Sequence, residues 1–141
     1  MTIYFDMDGT IADLYGVENW LDDLINGNTR PYDEAKPLLN FSVFARELHK
    51  LQNKGIEIGI ISWLSKSGTD EYNERVTNSK MKWLKRHLPS VEWNEIHIVK
   101  YGTPKSTCGH GILFDDEEPN RTEWNGISYD VQNIIEILRA F

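Results

Sequence analysis

The sequence predicts an α/β fold with a parallel sheet of about five strands. Short apolar or β-branched segments alternate along the chain with longer segments that carry apolar residues at helical spacing. Chains with this alternation fold into helices packed on a parallel sheet. The segment 56–61 is almost continuously apolar, which is typical of a strand buried on both faces of such a sheet.

Five segments are expected to form the strands. The first, Thr2–Phe5, is rich in β-branched and aromatic residues, which favour strands. The other four are expected at 56–61, 96–99, 111–114 and 127–129. Ligands of parallel α/β sheets bind at the carboxyl ends of the strands, so the residues that follow these segments are the first candidates for a site.

Four amphipathic segments are expected to form helices. They cover 17–26, 41–51, about 67–88, and the C-terminal residues after Asp130, which is expected to cap the last helix. Residues 30–37 contain two prolines and are expected to form a loop.

Two polar features of these helices have a structural interpretation. The helix at 41–51 begins next to Asn40 and Ser42, either of which can act as its cap. The long helix carries a run of basic residues near its end, which we interpret as a solvated face rather than a binding patch. The members of this run are Lys80, Lys82, Lys85 and Arg86.

Length and charge restrict the possible functions. A chain of 141 residues has the usual size of one domain, so a single domain over 1–141 is expected. The formal net charge of −7 argues against non-specific nucleic-acid binding, which requires a positive field. It is compatible with a small phosphorylated ligand, because a bound cation and a few basic side chains can reverse the local sign.

Cysteine content and hydropathy indicate where the protein works. Cys108 is the single cysteine, so an internal disulfide is excluded, and this fits a reducing compartment. No basic N-terminal segment precedes an apolar stretch, as a secretory signal requires. The longest apolar segment, near 56–64, is too short to span a bilayer. A cytoplasmic location without membrane attachment is therefore expected.

The strongest functional signal lies in residues 3–10, where an apolar strand ends in two carboxylates. Side chains two positions apart in an extended chain point to the same side, so Asp6 and Asp8 are expected to project into the same space. Close carboxylates repel unless a cation or a shared proton separates them. Gly9 permits the tight turn that must follow. The segment therefore indicates a metal-dependent acid site.

Further polar residues follow the other expected strands. Ser62 follows the second strand, and Asp115 and Asp116 follow the fourth. Lys105 lies in an expected helical turn between the third and fourth strands, and Lys100, directly after the third, is the alternative lysine. Carboxylates suit a hard cation such as Mg²⁺, and a nearby ammonium can neutralise a phosphate. The set is suited to phosphoryl transfer.

Taken in order, these residues resemble the motifs of the haloacid dehalogenase superfamily of phosphohydrolases. The matching elements are Asp6-Met7-Asp8-Gly9-Thr10, Ser62 after Ile60-Ile61, Lys105, and Asp115-Asp116 after Ile112-Leu113-Phe114. The resemblance covers nearly the whole domain. It implies a Rossmann-like three-layer fold in which the first strand lies between the second and the fourth. It also implies a minimal cap, formed by a small insert at about 11–40.

The resemblance implies a role for each of these residues. Asp6 is the expected nucleophile, which forms an aspartyl phosphate, and Asp8 is the expected general acid and base. Ser62 and Lys105 are expected to hold the transferring phosphoryl group. An acid at position 8 favours a phosphatase or phosphomutase over a dehalogenase. Mg²⁺ is the expected cofactor, with ligands from Asp6, the main-chain carbonyl of Asp8, Asp115 and Asp116, and Asp115 is expected to matter more than Asp116.

A small phosphorylated molecule is the expected substrate, and a nucleoside monophosphate is the leading hypothesis. The contexts of Lys105 and of Asp115-Asp116 are similar to those in the pyrimidine deoxynucleotidases, although the insert is shorter and Glu117-Glu118 follows where they have a basic residue. Trp63, next to Ser62, is the candidate for stacking on a base. One alternative is a phosphatase of a polynucleotide end or of a phosphorylated macromolecule. Another is a binding or regulatory module with little turnover.

Overall fold

A five-stranded parallel sheet forms the centre of the computed structural model, which describes residues 1–141. The strands of the chain are β1 Thr2–Phe5, β2 Ala12–Asp13, β3 Lys36–Pro37, β4 Glu57–Trp63, β5 Glu95–Val99, β6 Ile112–Phe114 and β7 Ser128–Tyr129. The sheet has the order β5-β4-β1-β6-β7, and β2 and β3 form a separate antiparallel pair. The expected α/β fold is confirmed, and the first strand lies between its expected neighbours.

The register of the sheet brings the carboxyl ends of its central strands together. Phe5, the last residue of β1, pairs with Ile60 of β4 on one side and with Phe114 of β6 on the other. The main-chain N–H of Asp6 donates to the Phe114 carbonyl at 2.9 Å, which continues the ladder by one step. Asp6 and Asp115 therefore leave the sheet as neighbours at the same edge.

Six α-helices surround the sheet: α1 Trp20–Ile25, α2 Arg30–Glu34, α3 Phe41–Asn53, α4 Asp70–His87, α5 Glu118–Glu123 and α6 Ile134–Arg139. Side-chain caps define the start of the two longest. The Asn40 side chain accepts hydrogen bonds from the N–H groups of Ser42 and Val43, and the Thr69 hydroxyl accepts one from the N–H of Tyr72. The α3 helix begins where the sequence predicts, with Asn40 rather than Ser42 as the cap, and α4 begins at Asp70, three residues after the expected start. No helix combines the length and apolar character that crossing a bilayer requires.

The structure corrects two expectations about local structure. Residues 30–37 do not form a loop, because they contain α2 and then β3. Pro31 lies in the first turn of α2, where a helix does not need its N–H, so this proline starts the helix rather than breaking it. The last helix begins at Ile134 and not directly after Asp130, whose carboxylate accepts a hydrogen bond from the N–H of Val131 instead.

Both faces of the sheet are covered, but unequally. On one face a cluster of 19 buried residues, including Phe5, Phe44 and Trp83, packs the sheet against α3, α4 and α6. On the other face Tyr4 and Trp124 belong to a cluster of only 4 buried residues. Tyr4 and Phe5 point to opposite faces because side chains alternate along a strand. The result is a layered α/β arrangement with a thick and a thin side layer.

The segment 11–40 contains β2, α1, α2 and β3, and it is attached to α4. The indole N–H of Trp83 donates to the Ala35 carbonyl at 2.8 Å, and the hydroxyl of Tyr72 donates to the Asn28 carbonyl at 2.9 Å. These bonds hold the small insert against the start and the end of one long helix. The role of the insert as a cap stays a prediction.

Candidate functional site

The loop after β1 is a tight turn folded onto one carbonyl group. The Met7 carbonyl accepts hydrogen bonds from the N–H groups of Thr10, Ile11 and Ala12, at 2.9–3.0 Å. Gly9 has a φ of +82°, and a Cβ at this position would lie 2.4 Å from a carboxylate oxygen of Asp116. A side chain at position 9 is therefore excluded both by the backbone conformation and by the approach of Asp116.

Three carboxylates converge beside this turn, and we call them the acidic trio: Asp6, Asp115 and Asp116. One oxygen from each lies within 4.8 Å of the others. The hydroxyl of Thr10 lies 3.2 Å from Asp6 Oδ2 and 3.2 Å from Asp116 Oδ1, so it links the two acids. Asp6 and Asp115 are buried, which removes most of the water that could otherwise separate their charges.

The acidic trio is electrostatically strained without a cation. Burial, and then repulsion from Asp6, raises the pKa of Asp115 to about 6, although Lys105 opposes the rise. Burial, followed by repulsion from Asp6 and Asp115, raises the pKa of Asp116 to about 7. Hard oxygen donors that crowd in this way fit Mg²⁺, which takes oxygen ligands and would relieve the repulsion.

Lys105 is buried between two members of the acidic trio. It lies in a 3₁₀ turn, Lys105–Thr107, and its Nζ donates to Asp6 Oδ1 at 2.9 Å, Asp115 Oδ2 at 2.7 Å and the Ile61 carbonyl at 3.1 Å. Burial lowers the pKa of Lys105, but the two carboxylates outweigh burial and raise the pKa overall. Lys100, the alternative lysine, is exposed at the surface. The structure thus brings Lys105 to the predicted acids.

Lys80 corrects the interpretation of the basic run on α4. Lys82, Lys85 and Arg86 are exposed as expected, but the side chain of Lys80 is only 1% exposed. Its Nζ donates to Asp8 Oδ2 at 2.9 Å, and to the Ser62 hydroxyl and the Trp63 carbonyl, each at 2.7 Å. The reason is the spacing of buried residues along the helix. Positions 76 and 84, four residues before and after, are both buried, so position 80 belongs to the inward face.

Asp8 and Ser62 form a second polar group next to the acidic trio. The Asp8 carboxylate pairs with Lys80 and is not one of the three that converge. Burial raises the pKa of Asp8, while the charge of Lys80 opposes this rise. Ser62 lies at the end of β4 and is completely buried, and its hydroxyl oxygen accepts from Lys80. Asp6 and Asp8 do leave the strand on the same side, as the sequence predicts, but each meets its own lysine.

A cavity of about 500 Å³ opens over these groups. Its base, which we call the floor, consists of Asp6, Asp8 and Lys105 with the buried groups bonded to them. Its sides, which we call the wall, are mostly aromatic and aliphatic, with Lys66 and Glu117 as the charged members, and include Tyr15, Trp20, Leu21, Leu24, Ile25, Trp63 and Tyr101. A volume of this size is typical of small-molecule sites.

Two aromatic pairs stand in the wall. The rings of Trp63 and Tyr101 lie 4.9 Å apart, and those of Tyr15 and Trp20 lie 5.0 Å apart. The indole N–H of Trp63 donates to the carbonyl of Thr103 at 2.8 Å, which fixes the orientation of the ring. The ring centre of Trp63 also lies 5.6 Å from Lys105 Nζ. Trp63 therefore stands at the junction of floor and wall.

The α1 helix supplies much of the wall without being packed into the core. None of its residues is buried, and Leu21 and Ile25 are 53% and 73% exposed. Aliphatic side chains on a short helix are normally buried, since burial of an apolar side chain contributes about 1.5–3 kcal/mol. The apolar side chains of α1 instead border the cavity, where a bound ligand can cover them.

Three residues of the site were missed by the sequence interpretation. Thr10 links two acids, and Lys80 pairs with Asp8. Asn120, on α5, donates to Asp115 Oδ2 at 3.2 Å. Helical spacing was a usable signal for Lys80, because it has the period of the buried residues of α4. Asn120 lies on a helix that the sequence interpretation did not include, so no comparable signal was available.

The fold of the chain is similar to that of a solved phosphatase. The crystal structure of D,D-heptose 1,7-bisphosphate phosphatase from Burkholderia thailandensis matches with a TM-score of 0.52 and 16% sequence identity, covering 86% of this chain and 69% of that chain. At this identity the likeness establishes a shared fold and nothing finer. No protein-family model matches the sequence, and no curated protein matches it either.

Proposed function

We propose that the protein is a Mg²⁺-dependent phosphatase of the haloacid dehalogenase superfamily, which acts through an aspartyl phosphate on nucleoside monophosphates. The observation that carries this proposal is the juxtaposition of floor and wall. A buried nucleophile candidate, Asp6, a buried lysine and an acid–base candidate, Asp8, lie at the base of a cavity whose sides are aromatic. The shared fold with a known phosphatase supports the same reading.

The chemistry assigned to the floor divides into two steps. A carboxylate oxygen of Asp6 attacks phosphorus, and the bond from phosphorus to the leaving oxygen breaks while Asp8 gives that oxygen a proton. Water then attacks the phosphoryl group on Asp6, and Asp8 takes a proton from this water. Inorganic phosphate leaves, and both carboxyl groups return to their starting state. Lys105 and the Ser62 hydroxyl stabilise the negative oxygens of the phosphoryl group throughout.

The acidic trio is assigned to the metal. Asp6, Asp115 and Asp116 would hold Mg²⁺, together with the main-chain carbonyl of Asp8. When bound, the cation supplies charge neutralisation for the phosphoryl oxygens. The pKa values of Asp115 and Asp116 are raised first by burial and then by repulsion within the trio, and a bound cation would oppose both effects, which supports this assignment.

The wall is assigned to the leaving group. A planar base can stack on the exposed aromatic faces, and stacking tolerates different bases. Trp63 is the leading contact, because it stands next to Ser62 in the chain and close to Lys105 in space. The aliphatic side chains of α1 would cover the opposite side of the bound nucleoside.

A screen for phosphate release tests the proposal. Purified protein with Mg²⁺ is given nucleoside monophosphates, sugar phosphates, glycerol phosphate, and oligonucleotides with a 5′- or 3′-phosphate, each with an EDTA control. We expect metal-dependent release, fastest from nucleoside monophosphates. Preference for oligonucleotide ends would replace the substrate assignment. Absence of release from every ester, including an aryl phosphate, would instead favour a binding module.

A further inference from the structure

Lys80 is part of a basic run on α4, but unlike the other members of that run it is buried at the site. We propose that Lys80 is a positioning residue, which holds the carboxyl group of Asp8 in the orientation needed to protonate the leaving oxygen. This inference rests on the proposed phosphatase function. It assigns a role to a residue outside the motifs that predicted the site.

The contacts of Lys80 account for all of its hydrogen-bonding capacity. An ammonium group has three N–H donors, and the three acceptors are Asp8 Oδ2, Ser62 Oγ and the Trp63 carbonyl, at 2.7–2.9 Å. No donor remains for a phosphoryl oxygen. Lys105 is also bonded to three acceptors, but it lines the cavity, whereas Lys80 does not. Lys80 is therefore not placed to contact a phosphoryl group directly and acts through the groups that it fixes.

The geometry fixes one oxygen of Asp8 and leaves the other free. Oδ2 accepts from Lys80, while Oδ1 has no hydrogen-bond partner in the protein. Lys80 itself is held at 1% exposure and lies 5.2 Å from the ring centre of Tyr32, so its Nζ has little freedom to move. Asp8 is thus anchored through one oxygen, and the second oxygen is the one available to exchange a proton with the substrate.

Ser62 is oriented by the same lysine. Its oxygen accepts from Lys80, and no acceptor in the protein takes its hydroxyl proton. The O–H therefore has no partner within the protein, and Ser62 is completely buried next to the lining of the cavity rather than part of it. A single ammonium group therefore connects the residue that would hold the phosphoryl group to the residue that would protonate the leaving oxygen.

Substrates with different leaving groups test this role. An aryl phosphate loses a weakly basic phenolate and needs little protonation, whereas an alkyl phosphate such as glycerol phosphate needs a proton from Asp8. The kcat/KM ratio reports the steps up to departure of the leaving group. In Lys80→Met we expect kcat/KM for alkyl phosphates to fall at least tenfold more than that for aryl phosphates. Lys82→Met, an exposed change on the same helix, is the matched control and should leave both values near those of wild type.

Two further variants separate positioning from a structural ion pair. Lys80→Arg keeps the positive charge but spreads its donors over a planar fork, which cannot match three acceptors around one point. If Lys80 only forms a structural ion pair, kcat/KM should be near normal in Lys80→Arg. If Lys80 positions Asp8, kcat/KM should fall selectively for alkyl phosphates. In the double variant Lys80→Met with Asp8→Asn, the loss on alkyl phosphates should scarcely exceed that of Asp8→Asn alone. This variant also removes the carboxylate that Lys80→Met leaves unpaired, so it tests the role in a protein without that destabilising charge.

Equal losses on aryl and alkyl phosphates would overturn the inference while leaving the phosphatase assignment intact. So would a fully additive loss in the double variant, or normal kinetics in Lys80→Arg. Failure of wild type to hydrolyse any phosphate ester would overturn the proposed function and this inference together. Circular dichroism and thermal melting accompany each variant, so that a loss of folded protein is recognised as such.

Discussion

The floor and the wall of the cavity are built in opposite ways. The floor consists of charged groups that are almost completely buried, and each lysine in it is held by three acceptors. The wall consists of apolar groups that are partly exposed, on short elements such as α1. In an ordinary protein the charges are outside and the aliphatic side chains inside. The contrast indicates that the floor is organised without a ligand, whereas the wall keeps apolar surface that a ligand can cover.

Loss of Asp6, the proposed nucleophile, should have the largest effect, because it acts on every substrate whether or not the wall binds its leaving group. Asp6→Asn is nearly isosteric but cannot attack phosphorus, so kcat should fall by at least about a thousandfold on every substrate, with or without a ring. Phosphate release from a nucleotide and from glycerol phosphate measures this directly. A folded Asp6→Asn protein with appreciable turnover on either ester would contradict a covalent intermediate on Asp6.

Loss of the acid should be smaller and should depend on the leaving group. Asp8→Asn should reduce kcat/KM for alkyl phosphates by about 10²–10⁴-fold, the usual contribution of general acid catalysis. The loss on an aryl phosphate should be much less. The measurement is the slope of log kcat/KM against the pKa of the leaving group for a series of esters. If this slope is the same in Asp8→Asn as in wild type, Asp8 is not the acid.

A change in the wall should affect only substrates with a ring. Trp63→Ala should raise KM for nucleotides by about 10–100-fold, because stacking contributes roughly 1–3 kcal/mol per base. Glycerol phosphate, which has no ring to stack, should keep its KM. Trp93→Ala removes an indole that does not border the cavity and is the matched control. If Trp63→Ala weakens both substrates equally, or only lowers the melting temperature, Trp63 is a structural residue.

The smallest expected effect is a change in thermal stability with pH, and it concerns the floor alone. The folded-state pKa values of Asp115 and Asp116, about 6 and about 7, lie above the ordinary 3.8. For carboxyls shifted upward, the favourable contribution of the proton is present below the unfolded pKa and is lost as the pH rises through the folded value. Between pH 4 and pH 8 the two groups should therefore destabilise the metal-free protein progressively.

Melting temperatures in EDTA and in Mg²⁺ measure this effect. Mg²⁺ should stabilise the protein more at pH 8 than at pH 5, by binding the native state alone. Asp116→Asn removes one charge of the acidic trio, so it should melt higher than wild type in EDTA at pH 8 and gain less from Mg²⁺. The other titrating groups are the same in both proteins, so their contribution cancels in the difference in melting temperature between variant and wild type. An identical Mg²⁺ shift in both proteins would remove Asp116 from the metal site.

The floor could largely be predicted from the sequence, whereas of the wall only Trp63 was singled out. Asp6 and Asp115 follow strands and Ser62 lies near the end of one, and a parallel sheet brings such positions to one edge regardless of the rest of the chain. The helical period marks position 80 as inward. The partners of Lys80 and the aromatic pairs depend instead on how α4 and the insert pack, which strand and helix patterns do not specify. The expected loop at 30–37 was wrong for a different reason. A proline in the first turn of a helix cannot be distinguished from a proline in a loop by sequence alone.

The central position of β1 has a consequence for how the protein is made. β1 is synthesised first, yet its neighbour β6 lies at 112–114, and Asp6 and Lys105, which meet in the site, are 99 positions apart. During synthesis, both edges of β1 can be paired only after most of the chain has been made. Non-local pairing of this kind slows folding and leaves an apolar strand edge available to other chains. One edge of β1 therefore stays unpaired in the nascent chain until β6 has been made.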